Sequence, residues 1–277
     1  MSFEENLFRL PVSGRVVFVS PLSGAEELLM AEAPASDAAL AVALADRLAR
    51  DAQGAPLDWR TMAVTDLDAL IVFLRRMVLG DRVRADATCS SKECRQLIDV
   101  EFGLGEFLQH HAPVSPARSC RGWSVRPGQS LGWFRLAPPG WDGATAAQII
   151  DFRLPTPEDQ LSVLGRLDAE DELARRCLQP ASAPVALRRK AEAAMEAMAP
   201  CLSGHLQAVC PECGTGLTLY FEPRGFCLRE LRDRTASIYA DVDVLARRYH
   251  WSESHILSLP RARRVAYVEL AQRAQTN

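Results

Sequence analysis

No stretch of this 277-residue chain is apolar for long enough to cross a bilayer as a helix. The most apolar run, Leu67 to Leu79, is interrupted by Asp68, Arg75 and Arg76. It also falls short of the ~20 residues that a span needs. Met1 to Asn6 carries Glu4 and Glu5 where a secretory leader would carry basic residues ahead of an apolar core. No leader is expected, and a cytoplasmic location follows, in which thiols stay reduced. Charge of either sign is not in excess. The 32 basic and 35 acidic side chains leave a net charge of −3, which removes any global reason to bind nucleic acid or an anionic membrane. There is no glycine-rich phosphate loop, since Pro138-Pro-Gly-Trp reads as a turn. There is no G-x-S-x-G nucleophile elbow. His110 and His111 are adjacent, so on a helix they face different ways and are poorly placed to chelate one ion. The expectation from these absences is a non-enzymatic protein without a small-molecule substrate.

What the chain does have is 48% hydrophobic residues, enough for one large domain or two small ones. It also has eight cysteines: Cys89, Cys94, Cys120, Cys177, Cys201, Cys210, Cys213 and Cys227. In a reducing compartment close pairs of cysteine suggest metal ligation, and only Cys89/Cys94 and Cys210/Cys213 are close. Cys210-Pro-Glu-Cys-Gly is a knuckle: a two-residue gap lets both sulfurs reach one ion, and Gly214 permits the turn. Structural zinc takes four tetrahedral ligands. Cys89, Cys94, Cys210 and Cys213 would supply them together, and Cys201 and His205 are possible substitutes. The other four cysteines read as small buried hydrophobes. A redox reading of the Cys-x-x-Cys is disfavoured, because strands rather than a βαβ helix flank it. The plain alternative is a pair of metal-free turns.

The apolar periodicity predicts a strand over Ser13 to Pro21, a short helix from Gly24, and a helix over Ser36 to Ala52 capped by Ser36 or Asp37. A further helix opens at Thr65 and closes at Gly80. Short strands are expected at Gly122–Val125, Gly132–Leu136 and Gln148–Arg153. Thr156 caps a helix with Pro157 at its first position, which runs with a break to Cys177. Helices are expected over Ala186 to Met198, over Phe226 to Tyr249 as one long helix, after Ser252, and from Pro260 to Arg273. The two cysteine pairs sit in matching surroundings: helix, strand, knuckle, strand, aromatic. Cys94 and Cys213, Phe102 and Phe221, and Phe107 and Phe226 are each 119 positions apart, whereas Cys89 and Cys210 are 121 apart. This predicts an α+β fold with two pseudo-repeated, zinc-ribbon-like helix–strand–knuckle–strand units and a helical C-terminus. The expected segments are 1–115 with the first knuckle, 116–155 rich in Trp, Pro and Gly, 156–225 with the second knuckle, and 226–277.

The C-terminal run DVDVLARRYHWSESHILSLPRARRVAYVELAQR resembles the tail of a family of baseplate proteins of contractile-tailed phages, related to the T-even baseplate hub assembly proteins. Leu10-Pro-Val-Ser-Gly-Arg with Gly24-Ala-Glu-Glu-Leu-Leu, Phe152-Arg-Leu-Pro-Thr-Pro-Glu-Asp, and the paired knuckles are similar to the same family. The resemblance implies a component or assembly chaperone of a phage tail or related contractile injection system, at work in the bacterial cytoplasm where the particle is built. Its partners would be other baseplate, hub or tail proteins. Tyr249, Trp251, Arg261, Arg263 and Arg264 are the candidate partner-binding residues, since Trp, Tyr and Arg dominate interfaces. For Trp251 the alternative is a wedge between helices, and for the arginines it is interhelical ion pairs. A different function remains open: a zinc-ribbon adaptor that binds nucleic acid through its C-terminal helices, with Arg261, Arg263 and Arg264 opening a recognition helix.

Overall fold

The computed structural model describes residues 6–35, 37–140 and 148–273. Helices and strands are mixed along the chain, and the strands form four small sheets, all antiparallel. β1 (Leu7–Arg9) and β2 (Val16–Val19) form a hairpin. α1 (Gly24–Glu32) opens with a capping box, in which the Ser23 hydroxyl accepts from Ala25 N–H and the Glu26 carboxylate accepts from Ser23 N–H. α2 (Ala38–Leu48) is capped by Asp37, while Ser36 lies outside the described residues. α2 ends at Leu48 rather than Ala52. Residues Ala49–Asp51 leave it as β3 and pair with β2, because a strand with open backbone groups recruits the chain as it passes. Asp51 then accepts the N–H groups of Gln53 and Ala55 and turns the chain.

α3 (Val64–Leu79) begins one residue before the expected Thr65, with Ala63 as its cap. Thr65 and Asp66 have other tasks. The Thr65 hydroxyl donates to Pro200 O at 2.9 Å, and Asp66 accepts the N–H groups of Val12 and Ser13 at 2.8 and 3.0 Å. α3 is the axis of the first core: Leu67, Leu70, Ile71 and Leu74 meet Leu44 of α2, Trp59, and Leu228 of the later helix α9 (Pro223–Asp233). Each such apolar side chain contributes about 1.5–3 kcal/mol on burial. Arg75, also buried, donates to Glu230 of α9 at 2.8 and 3.2 Å.

From α3 the chain forms the hairpin β4 (Arg82–Thr88) and β5 (Leu97–Gly103), then α4 (Leu104–His110). After α5 (Pro116–Ser119) come β6 (Ser124–Pro127), β7 (Trp133–Ala137) and β8 (Ile150–Arg153), each shifted by up to two residues from expectation. α6 (Pro157–Val163) has Thr156 as cap, Pro157 first and Asp159 closing the capping box. α7 (Ala169–Cys177), β9 (Leu178–Gln179) and α8 (Val185–Met198) follow. β9 completes the sheet β6-β7-β8-β9, and α8 covers it. The second core therefore joins Leu136, Ile150, Phe152 and Leu178 to Leu187, Ala191 and Ala194. The 116–155 segment shares its sheet and core with residues 178–194.

The second hairpin is β10 (Gly204–Val209) and β11 (Gly216–Phe221), followed by α9. The long helix expected over Phe226 to Tyr249 is two helices. α9 stops at Asp233 and α10 (Ile238–Tyr249) begins after Ser237. Buried Thr235 causes the break: its N–H and hydroxyl both bond to Arg232 O, at 2.8 and 2.7 Å, so the chain turns there. α11 (Glu253–Ser258), capped by Ser252, and α12 (Arg261–Arg273) close a small C-terminal core on Leu245, Ile256 and Val268.

Candidate metal centre

The knuckles are the tips of the two hairpins. Strand pairing runs from Arg82↔Gly103 to Thr88↔Leu97 in the first, and from Gly204↔Phe221 to Val209↔Gly216 in the second. Beyond the last pair each turn is closed by backbone bonds. Cys89 N–H donates to Gln96 O, and Cys210 N–H donates to Thr215 O, both at 2.9 Å. Each turn needs one left-handed residue. In the second it is Gly214 (φ +71°), which bears no Cβ to clash. In the first it is Arg95 (φ +46°), a side chain held where few residues sit.

These tips bring Cys89, Cys94, Cys210 and Cys213 together, with all four Sγ atoms within 4.8 Å of one another. The shortest approaches cross between hairpins: Cys89–Cys213 at 3.6 Å and Cys94–Cys210 at 3.9 Å. These distances are far longer than the ~2.05 Å of a disulfide. They match the roughly 3.8 Å edge of a tetrahedron whose centre lies about 2.3 Å from each sulfur. The four thiols can therefore hold one metal ion. Cys201 and His205 are not in the cluster, which is the one such group among the described residues.

The sulfurs differ in surroundings. Cys89 and Cys210 are buried, Cys94 is half-buried and Cys213 is exposed. Ile98 and Leu217 pack beneath them, with Ala87, Val100 and Ala208 alongside. The Ser91 N–H favours the Cys89 thiolate, but burial and the three neighbouring sulfurs push that thiol up to about 12. The hydroxyl and N–H of Thr215 pull Cys213 down to about 6. A Cys89 thiol held up in this way keeps its proton, which a metal must displace, so uptake releases it.

Comparison with family models, curated proteins and solved structures matched nothing.

The four cysteines outside the cluster divide. Cys120, Cys177 and Cys227 are buried, as their reading as hydrophobes requires. Cys201 is exposed and does not fit that reading: Thr65 holds Pro200 just before it, and Glu196 accepts its N–H at the surface.

Of the two readings of the C-terminal residues, ion pairs between helices describe Arg261 and Arg264, and a wedge between helices describes Trp251. Arg264 is fully buried. It donates to Asp241 of α10 at 3.0 Å and to Glu27 of α1, so no surface contact is open to it. Arg261 donates to the same Glu27 oxygen at 3.2 Å. Only Arg263 of the three is exposed. Trp251 is the helix wedge. It stacks on Tyr249 at 5.0 Å and meets the edges of Tyr267 and His255. The carboxylate partners of these arginines lie 234, 237 and 23 positions away along the chain, and that is why the sequence did not reveal them. Gly24, at the start of α1, is part of the same junction. A Cβ there would lie 2.8 Å from the Leu257 backbone and 2.9 Å from the Arg264 guanidinium. Among the described residues, no helix is long and apolar enough to cross a membrane.

Proposed function

We propose that the four cysteines bind one structural zinc ion that pins the two hairpins together, and that the protein is a non-enzymatic baseplate or hub component, or assembly chaperone, of a contractile tail or injection system. The observation that carries the metal reading is the cross-hairpin sulfur geometry. A four-thiolate shell fills every tetrahedral position, which suits a structural rather than a catalytic ion. The pseudo-repeat supports it. The offset of 119 extends beyond the knuckles to the left-handed residues Arg95 and Gly214, to the bond acceptors Gln96 and Thr215, and to the helix starts Leu104 and Pro223. Equivalent aromatics meet, Phe102 on Phe221 at 5.1 Å. The helices ahead of the hairpins are not equivalent, since α3 lies in the first core and α8 in the second. The repeat is thus strand–knuckle–strand–helix.

The baseplate reading rests on the resemblance. In its favour, stretches that carry the resemblance from opposite ends of the chain touch: Gly24-Ala-Glu-Glu meets the Arg261–Arg264 run through Glu27. Such motifs would mark a shared scaffold. Partner contact then falls to exposed Arg263 and the outer faces of Tyr249 and Trp251. The adaptor reading is weakened, because Glu27 and Asp241 neutralise two of its three arginines.

Two measurements test these readings. Protein purified without chelator should carry one zinc per chain, and alanine at Cys89 should release it as readily as alanine at Cys210. Metal-free protein that unfolds unchanged in strong chelator would refute the metal reading. For the second, full-length protein is captured from cells assembling contractile tails and crosslinked. Crosslinks from the 249–263 surface to hub or baseplate proteins support the assignment. Retention on DNA that falls steeply with salt would instead select the adaptor.

A further inference from the structure

We infer that Cys213 is a thiol-oxidation site, and that hydroperoxides convert the metal-bound cluster into a disulfide between Cys89 and Cys213 that keeps the hairpins joined. This inference rests on the metal reading above. Accessibility selects the sulfur that is attacked. Cys89 is 3% exposed and Cys210 1%, whereas Cys213 is open to solvent. Metal-bound thiolates remain nucleophiles, and attack is confined to those an oxidant can reach. Proximity then selects the second sulfur. Cys89 lies 3.6 Å from Cys213, and it belongs to the other hairpin. The turn below Cys213 is held within its own hairpin, where Cys210 N–H donates to Thr215 O and Gly214 N–H donates to Cys210 O. Closing the sulfur pair needs a shift of roughly 1.5 Å to reach a disulfide length.

The chemistry balances. The Cys213 thiolate attacks the peroxide; a sulfur–oxygen bond forms, the oxygen–oxygen bond breaks, and the departing hydroxide or alkoxide takes a proton. The product is the Cys213 sulfenic acid. The Cys89 thiolate then attacks the Cys213 sulfur; the disulfide forms, the sulfur–oxygen bond breaks, and hydroxide leaves as water after taking a proton. Two thiolates lose two electrons, which the peroxide gains, and zinc stays divalent. Only Cys94 and Cys210 are left to hold zinc, so it leaves. A bond between Cys210 and Cys213 would instead free the two hairpins from each other. The cross-hairpin route exchanges one link for another.

The experiment treats zinc-loaded, full-length C201S protein with hydrogen peroxide. C201S removes the one exposed thiol outside the cluster. Zinc is measured first, and its absence would refute the metal reading itself. Released zinc is then followed with a chromogenic chelator, and trypsin digests are mapped without reduction. Cys89 falls in the 85–92 peptide, while Cys210 and Cys213 share the 191–224 peptide. One zinc released together with an 85–92/191–224 crosslink, assigned to Cys213 by fragmentation, is the expected result. An unlinked 191–224 peptide carrying an internal disulfide overturns the inference, as does zinc retained through oxidation. Cys213→His keeps a zinc ligand and removes the reactive sulfur. It should bind zinc and release it at least tenfold more slowly under peroxide. Release at the parent rate would place the attack on another sulfur and overturn the assignment.

Discussion

Replacing Arg264 with alanine should be among the most damaging single changes in the molecule. Its guanidinium has no exposed surface, and it bridges Glu27 of α1 and Asp241 of α10. Truncation leaves two buried carboxylates short of a donor. Asp241 keeps only the Ser237 hydroxyl at 3.5 Å, while Glu27 keeps Arg261 at 3.2 Å. Breaking a buried pair from one side costs about 3–5 kcal/mol, because the stranded charge is desolvated and uncompensated. The lower end applies here, since Glu27 retains a partner. Urea unfolding of Arg264→Ala against the parent should thus show a loss near 3 kcal/mol. In an E27Q/D241N background the same truncation strands no charge. The double-mutant cycle should then return a coupling of about 1–3 kcal/mol. Lysine should not rescue, because one ammonium cannot reproduce the two-sided fork. A loss under about 1 kcal/mol, the same in both backgrounds, would refute this account of the junction.

Asp68 gives a pH signature. Burial raises its carboxyl to about 6 from 3.8, against the opposing pull of Arg224. The folded chain then holds a proton that the unfolded chain has released, so stability increases as pH falls from above 6 towards 4. The span is on the order of 2–3 kcal/mol, and Asp68→Asn should flatten it in urea titrations across that range; an unchanged slope would exclude Asp68 as its source. Gly24→Ala should cost about 1–3 kcal/mol through overpacking against Leu257 and Arg264, read as a lower urea midpoint, with zinc content untouched. Arg95→Gly should stabilise by up to about 1 kcal/mol by relieving a left-handed non-glycine residue. A loss of stability there would mean that the side chain makes a contact worth more than the strain.

Local signals were legible where one residue type has one physical use. The Ser23, Asp37 and Thr156 caps did not depend on distant residues, although Ser23 itself was not singled out. The cysteine spacing placed the four-thiol cluster, because two close pairs of thiols can share one site. Signals failed where tertiary partners overrode local preference. Arg50 and Asp51 read as a helix end but were taken by β2 as a strand. Thr235 sits in a helical pattern, yet its side chain bonds back to Arg232 O and ends α9. The exposed-looking Arg264 is buried because its carboxylates come from α1 and α10, and no periodicity within α12 reports that.

The chain leaves the first core after α4 and returns to it only at Leu202; the second core, Cys120 to Ala194, is built entirely from the intervening residues. The second core is thus an insertion, and the four clustered thiols close its two ends. That order has a consequence for synthesis. Cys94 emerges from the ribosome 119 residues before Cys213, a delay of roughly 6–24 s at about 5–20 residues per second. Throughout that interval the nascent first hairpin carries two thiols of the cluster without the other two. The lock closes only after the insert has been made.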